Sequence, residues 1–234
     1  MVENRLLNLD LYRAFGVILM VIFHFTYDLH HFGFSDIDTT KSLFWIHLRT
    51  FIVAIFMSAV GMSLYLVYSK TFDVKKYVKR LTLLGSASLV VSVVTFFMFP
   101  HTWIYFGVLH MIFVASLIGP FFVKKPNVSG VLGLVIVALY LLDYRMHPLF
   151  TLLQEPLHLP PGHTEDLASF IPWFGAVLLG IFVMHYRVLE RLPVCESVNI
   201  RQFSMIGRHS LLIYLVHQPL LFAILGTLHY FVVQ

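Results

Sequence analysis

Seven runs of mostly apolar residues dominate this chain. Most are about 17 to 25 residues long, the length an α-helix needs to cross a hydrocarbon layer about 30 Å thick. They cover residues 11–34, 43–69, 78–99, 103–123, 128–142, 169–186 and 209–232, the fifth being the shortest. Lipid offers no water to the backbone N–H and C=O groups, so each run must close its hydrogen bonds internally, as a helix. The expected fold is therefore all-α: one polytopic transmembrane bundle of about seven helices spanning residues 1–234. Composition agrees. Charged residues make up 12% of the chain and hydrophobic ones 59%, with a mean hydropathy of +0.83. A soluble domain carries roughly 25% charged residues, so too few remain to cover a surface facing water. The first run lacks a small-residue cleavage site and carries His24 and Asp28, which reads as a retained helix rather than a signal peptide.

The charges report orientation. Lys70, Lys75, Lys76, Lys79 and Arg80 mark the second loop, Lys124 and Lys125 the fourth, and Arg187, Arg191, Arg201 and Arg208 the sixth, with Arg5 and Arg13 at the N-terminus. Thirteen of the 16 Lys and Arg fall on one side, leaving Lys41, Arg49 and Arg145 on the other. By the positive-inside rule the N-terminus is cytoplasmic and the C-terminus outside, which requires an odd number of spans. The net charge of +4 is thus topological, and the expected partner is the bilayer, not nucleic acid; a homodimer is left open. The lone Cys195 excludes a disulfide framework or a multi-thiolate metal site and reads as a spectator.

Ionisable groups inside a membrane cost roughly 2.5 to 3.5 kcal/mol each on insertion scales and usually face the bundle interior or a cavity. His24 and Asp28 are four residues apart, on one helix face that His31 continues. A carboxylate there can orient an imidazole and raise its basicity, as general base catalysis requires. At a rise of about 1.5 Å per residue, His24 lies roughly 12 to 15 Å from the outer end of its helix, His110 roughly 10 to 12 Å below the same face, and His217 about 12 Å up from the inner end. Three helices could each offer one histidine to a single cavity. The plainer alternative makes Asp28 and His24 hydrated interfacial groups, and His110 and His217 helix-to-helix hydrogen-bonding residues. At the inner face, Arg13 and Arg208, with His209, sit near predicted helix starts, where free N–H groups and the dipole favour a phosphate. Gly61, Gly175 and Gly180 are expected to permit close helix contact.

Several stretches together resemble the bacterial branch of the heparan-alpha-glucosaminide N-acetyltransferase catalytic-domain family. They are Leu9-Asp10-Leu11-Tyr12-Arg13, the segment from Leu19 to Leu29 containing Phe23-His24-Phe25-Thr26-Tyr27-Asp28, and Phe56-Met57-Ser58-Ala59-Val60-Gly61-Met62-Ser63-Leu64. Phe106-Gly107-Val108-Leu109-His110, Pro172-Trp173-Phe174-Gly175 and the segment from Gly207 to Pro219, which ends in His217-Gln218-Pro219, complete the set. The resemblance implies a multi-pass acyltransferase of a bacterial cytoplasmic (inner) membrane. It would take acetyl-CoA, a coenzyme A thioester, on the cytoplasmic side and acylate an amine or hydroxyl, often on a sugar or glycan, on the outer side.

Resemblance and residues meet in one expected mechanism. Arg13, Arg208 and His209 hold the donor, and the thioester is delivered near His24 as base, with His30 or His31 as alternatives. Asp28 orients the base, and His110 or His217 binds the acceptor or the developing oxyanion. No metal is expected. Two rivals come from other classes: a proton-coupled transporter of a small solute, weakened by the lack of internal repeats, and a haem- or metal-binding membrane protein using His24, His110 and His217 as ligands.

Overall fold

The structure is a computed structural model; the residues it describes are 2–144, 152–160, 164–191 and 197–233. Cys195, Arg145 and the Pro161-Gly162-His163 stretch of the long outer loop lie outside them. The main helices, in chain order, are α1 (Val2–His31), α2 (Leu43–Tyr68), α3 (Val74–Met98), α4 (Val108–Ile118), α5 (Pro126–Leu141), α6 (Phe170–His185), α7 (Val198–Arg208) and α8 (Ser210–Val233). Among the described residues extended backbone pairs only as an isolated bridge, Phe106 with Leu167. Four helical stretches are long and apolar enough to cross a membrane: Leu7–His31, Leu43–Tyr68, Val74–Met98 and Ser210–Val232. Three shorter apolar ones, Val108–Phe122, Pro126–Leu141 and Phe170–His185, complete the seven expected from sequence.

The differences have local causes. The run at 103–123 is helical only from Val108, because the residues before it pair with the end of the long loop. Ala168 N–H donates to Phe106 O at 3.0 Å, Glu165 N–H to Thr102 O at 2.9 Å, and the Thr164 hydroxyl to Trp103 O at 2.8 Å. It then tightens into a 3-10 turn, Gly119–Phe122, with Pro120 inside it. α5 and α6 have 16 residues each, about 24 Å of helix. α7 falls in what reads as a loop; Ser197 caps it, its hydroxyl accepting from Ile200 N–H at 3.3 Å. α1 starts at Val2, well before residue 11, because polarity does not interrupt a helix that leaves the bilayer.

The chain divides into two compact units, residues 1–56 with 189–234, and residues 57–188. In the first, α1 and α8 run in the same direction. Gly207, at the end of α7, lies against Asp10; then up the seam His24 meets His217, Asp28 meets Gln218, His31 meets Phe222, and Phe32 meets Gly226 and His229. Parallel first and last helices require an even number of chain reversals between them, hence an odd number of spans. A cluster of Met20, Phe23 and Ile52, with Trp45, Leu48 and Tyr214 packed on it, joins the first half of α2 to this pair. The Asn8 amide, at the lower end of α1, donates to Leu189 O at 2.7 Å.

The second unit is held by close helix crossings. A Cβ on Gly61 would stand 1.9 Å from Val177 O, and one on Gly180 2.1 Å from Ser58 O, so α2 and α6 touch backbone to backbone. Gly133 and Gly175 do the same for α5 and α6, each facing the other's carbonyl oxygen at about 3 Å. Lipid tails are as apolar as Leu, so helices gain by approaching closely enough for dispersion contact, and small residues allow it. α3 and α4 pack antiparallel, with Arg80 Nε donating to the buried Ser116 hydroxyl at 3.1 Å and the Tyr77 hydroxyl to Leu117 O at 2.9 Å.

Candidate functional site

On the seam of α1 and α8 the rings of His24 and His217 lie 4.8 Å apart between centroids, inclined at 66°. Phe23 stands edge-on to His24 at 5.6 Å, and Tyr214 flanks His217 at 5.9 Å. His217 is 8% exposed. Its Nδ1 is 2.8 Å from Tyr214 O and 3.2 Å from Ile213 O. A carbonyl only accepts, so Nδ1 carries the proton and the neutral ring presents its Nε2 lone pair. That nitrogen is buried and has no hydrogen-bond partner among the described residues.

One turn further along, Asp28 is fully buried and its Oδ1 accepts from Gln218 Nε2 at 2.8 Å. Asp28 Oδ2 and Gln218 Oε1 are buried without a partner among the described residues. With Asp28 ionised, the neighbouring residues 217 and 218 of α8 and the carboxylate of α1 therefore present three acceptor atoms that lack donors. Each such group costs roughly 1 to 3 kcal/mol when left unmade. A ligand bearing N–H or O–H groups is what such a cluster is short of. Beyond it the seam becomes aromatic: His31 lies 5.3 Å from Phe222 and stacks at 6.3 Å on Tyr27. His30 is turned away, its Nδ1 3.0 Å from Ser35 O.

One expectation changes here. Asp28 shares α1 with His24, yet its hydrogen bond goes to Gln218 on α8, so the carboxylate orients an amide instead of the imidazole. Gln218 escaped the reading from sequence; the available signal was a second uncharged polar side chain next to His217 in an otherwise apolar run.

At the other end of the seam Asp10 accepts from Arg208 Nε at 2.9 Å and lies 3.5 Å from Arg13 Nη1. The two arginines named from sequence thus share one carboxylate, and Arg208 remains 57% exposed in its side chain. Arg13 does not stand at a helix start: α1 begins eleven residues before it, so free N–H groups and a positive dipole end do not contribute there. Arg208 closes α7 and, with His209, directly precedes α8, which begins at Ser210. His209 caps α7, with Nδ1 2.9 Å from Met205 O, which leaves Nε2 on an exposed ring.

His110 belongs to the second unit, where both its nitrogens are used. Gly107 N–H donates to Nδ1 at 3.2 Å. Nε2 is 3.0 Å from the Ser92 hydroxyl, which itself donates to Ile104 O at 2.7 Å and so must accept from the ring. With Asp166 accepting from Val108 N–H at 2.7 Å, His110 closes the N-terminus of α4. This is the helix-to-helix bonding role open to it from sequence.

Among the described residues no group of three or more His, Cys, Asp or Glu side chains is close enough to hold a metal ion. No curated protein and no solved structure matches the chain. A family model described as heparan-alpha-glucosaminide N-acetyltransferase, catalytic, matches residues 5–219. That span runs from the lower end of α1 through His24, Asp28, His217 and Gln218 to Pro219, and the chain belongs to this family of membrane acetyltransferases.

Proposed function

We propose that this protein transfers an acetyl group from acetyl-CoA, approaching from the cytoplasmic side of a bacterial inner membrane, to an amine or hydroxyl of a sugar or glycan on the outer side. The observation that carries the reading is the buried, unpartnered Nε2 of His217 beside the His24 ring. A neutral imidazole with an unperturbed pKa near 6.5 is suited to take a proton at neutral pH.

In the proposed step the acceptor's nitrogen or oxygen attacks the thioester carbonyl carbon. The new C–N or C–O bond forms as the C–S bond breaks, the acceptor's proton passes to His217 Nε2, and coenzyme A leaves as thiolate and is protonated to the thiol. Asp28 Oδ2 and Gln218 Oε1 accept hydrogen bonds from the acceptor and hold it against the base. His24 donates to the developing oxyanion. Arg13 and Arg208 serve the donor's phosphates, since guanidinium groups match phosphate oxygens in pairs. The exposure of Arg208 and His209 supports access from that side.

The test is a reconstituted assay. Liposomes carrying the protein would enclose acetyl-CoA and be given glucosamine-ended and hydroxyl-only oligosaccharides outside, with product read by mass spectrometry. The expected result is acetylated acceptor and free coenzyme A in equal amounts. Folded protein that neither binds acetyl-CoA by calorimetric titration nor yields product with either acceptor class would overturn the reading.

A further inference from the structure

The second unit carries a feature that acetyl transfer does not use. Between α5 and α6 lies an apolar groove of about 410 Å³, floored by Gly130 and walled by Val131, Leu134, Leu179 and Phe182. It opens outward: Val131 is 63% and Leu134 62% exposed. The two helices are antiparallel, and at the groove's polar end the Tyr186 hydroxyl donates to Asn127 at 2.7 Å. Lys124 and Lys125 immediately precede α5 and Arg187 follows α6, so three exposed cations gather at that same end. None of the three is in an ion pair among the described residues.

The geometry points to a site for an anionic diacyl phospholipid, with one acyl chain along the α5–α6 groove and the phosphate held by Lys124, Lys125 and Arg187. Charge complementarity favours this occupant over a helix of a second copy, which would fill the apolar slot and leave three cations unanswered. Helix length agrees. Each helix spans about 24 Å against a hydrocarbon thickness near 30 Å, so the bilayer must thin or the basic side chains must extend along the acyl region to reach the headgroups. Glycine at 130 sets the depth of the slot, since a Cβ there would meet Phe182 Cδ2 at 2.5 Å.

The experiment is native mass spectrometry of the full chain, exchanged from vesicles of phosphatidylglycerol and phosphatidylcholine in equal amounts, counting retained lipids. The wild type is expected to keep phosphatidylglycerol preferentially. A basic residue near an anionic surface is worth about 1 kcal/mol, so the Lys124→Gln, Lys125→Gln, Arg187→Gln triple variant should lose about tenfold or more of that preference. Val131→Trp, a bulky change at an exposed position, should lower retention of both lipids. Equal retention by the wild type, or an unchanged preference in the triple variant, would overturn the headgroup site. Wild-type retention in Val131→Trp would overturn the groove. The two lysine variants taken singly keep the test open if the triple variant does not fold.

Discussion

Asp10 and Arg208 are 198 residues apart in sequence and joined by a hydrogen bond of 2.9 Å, with Arg13 approaching the other oxygen of the same carboxylate. The bond fixes the end of α7 to α1 below the histidine pair. Asp10→Asn should lower stability in detergent by about 1.5 to 3 kcal/mol, the range for hydrogen bonds to charged groups. A double-mutant cycle with Arg208→Met should show a coupling of at least about 0.5 kcal/mol. Additive losses would mean that the bond contributes no measurable coupling. The same carboxylate also competes with an incoming phosphate for both guanidinium groups. Where Asp10→Asn remains folded, titration should therefore show tighter acetyl-CoA binding, not weaker.

Beside that bond, Gly207 tolerates nothing larger. A Cβ there would lie 1.8 Å from Asp10 O and 3.0 Å from Ala14 N, both backbone atoms that cannot turn aside. Gly207→Ala should cost at least the upper end of the about 1 to 3 kcal/mol typical of overpacking. Gly16→Ala offers the contrast, because its nearest obstacle is a side-chain methyl, Cγ2 of Ile55 at 2.7 Å, and no backbone atom stands within reach, so a smaller shift relieves it. Melting temperatures of the two variants, measured side by side, should differ clearly and in that order.

Much of this was legible in the sequence, and the limits have physical causes. The apolar runs specify helices because lipid leaves the backbone no other partner, and Gly61, Gly175 and Gly180 announce close crossings because only small residues permit them. The pairing of residues 102–106 with 164–168 was not legible, since it joins two irregular segments with no periodicity. α7 was hidden by its polarity. His24 and His217 could be put at similar depth by counting residues, but counting along one helix gives no azimuth relative to another. That is why Asp28 was assigned to the neighbour four residues back instead of to Gln218 on the facing helix.

Asp73 gives a pH dependence outside the spans. Its carboxylate is the N-cap of α3, accepting from Lys76 N–H at 3.2 Å, and that bond, with the nearby Lys76 charge, holds its pKa below the usual carboxylate value. A depressed carboxylate contributes stability above its unfolded pKa and loses it as pH falls through the folded one. Amide exchange in the first turn of α3, corrected for the intrinsic pH dependence of exchange, should therefore be faster in Asp73→Ala than in the wild type at pH 7. The difference should shrink toward pH 3. A difference independent of pH would mean that the cap acts through backbone shape alone.

His217 and His110 offer the sharpest separation of chemistry from structure, because both are histidines in apolar helices and their free nitrogens differ. His217 keeps Nε2 unpartnered, whereas both ring nitrogens of His110 are engaged at the start of α4. Removing a general base typically costs 10²- to 10⁴-fold in rate. His217→Asn, whose amide cannot act as a base at neutral pH, should fall in that range in the liposome assay and still bind acetyl-CoA and melt near the wild type. His110→Ala should behave oppositely, losing about 1 kcal/mol of stability as a cap does and keeping its rate per folded molecule. If His110→Ala were the inactive variant and His217→Asn the merely unstable one, the reactive base would have to be sought in the second unit, and the α1–α8 seam would be a structural polar contact.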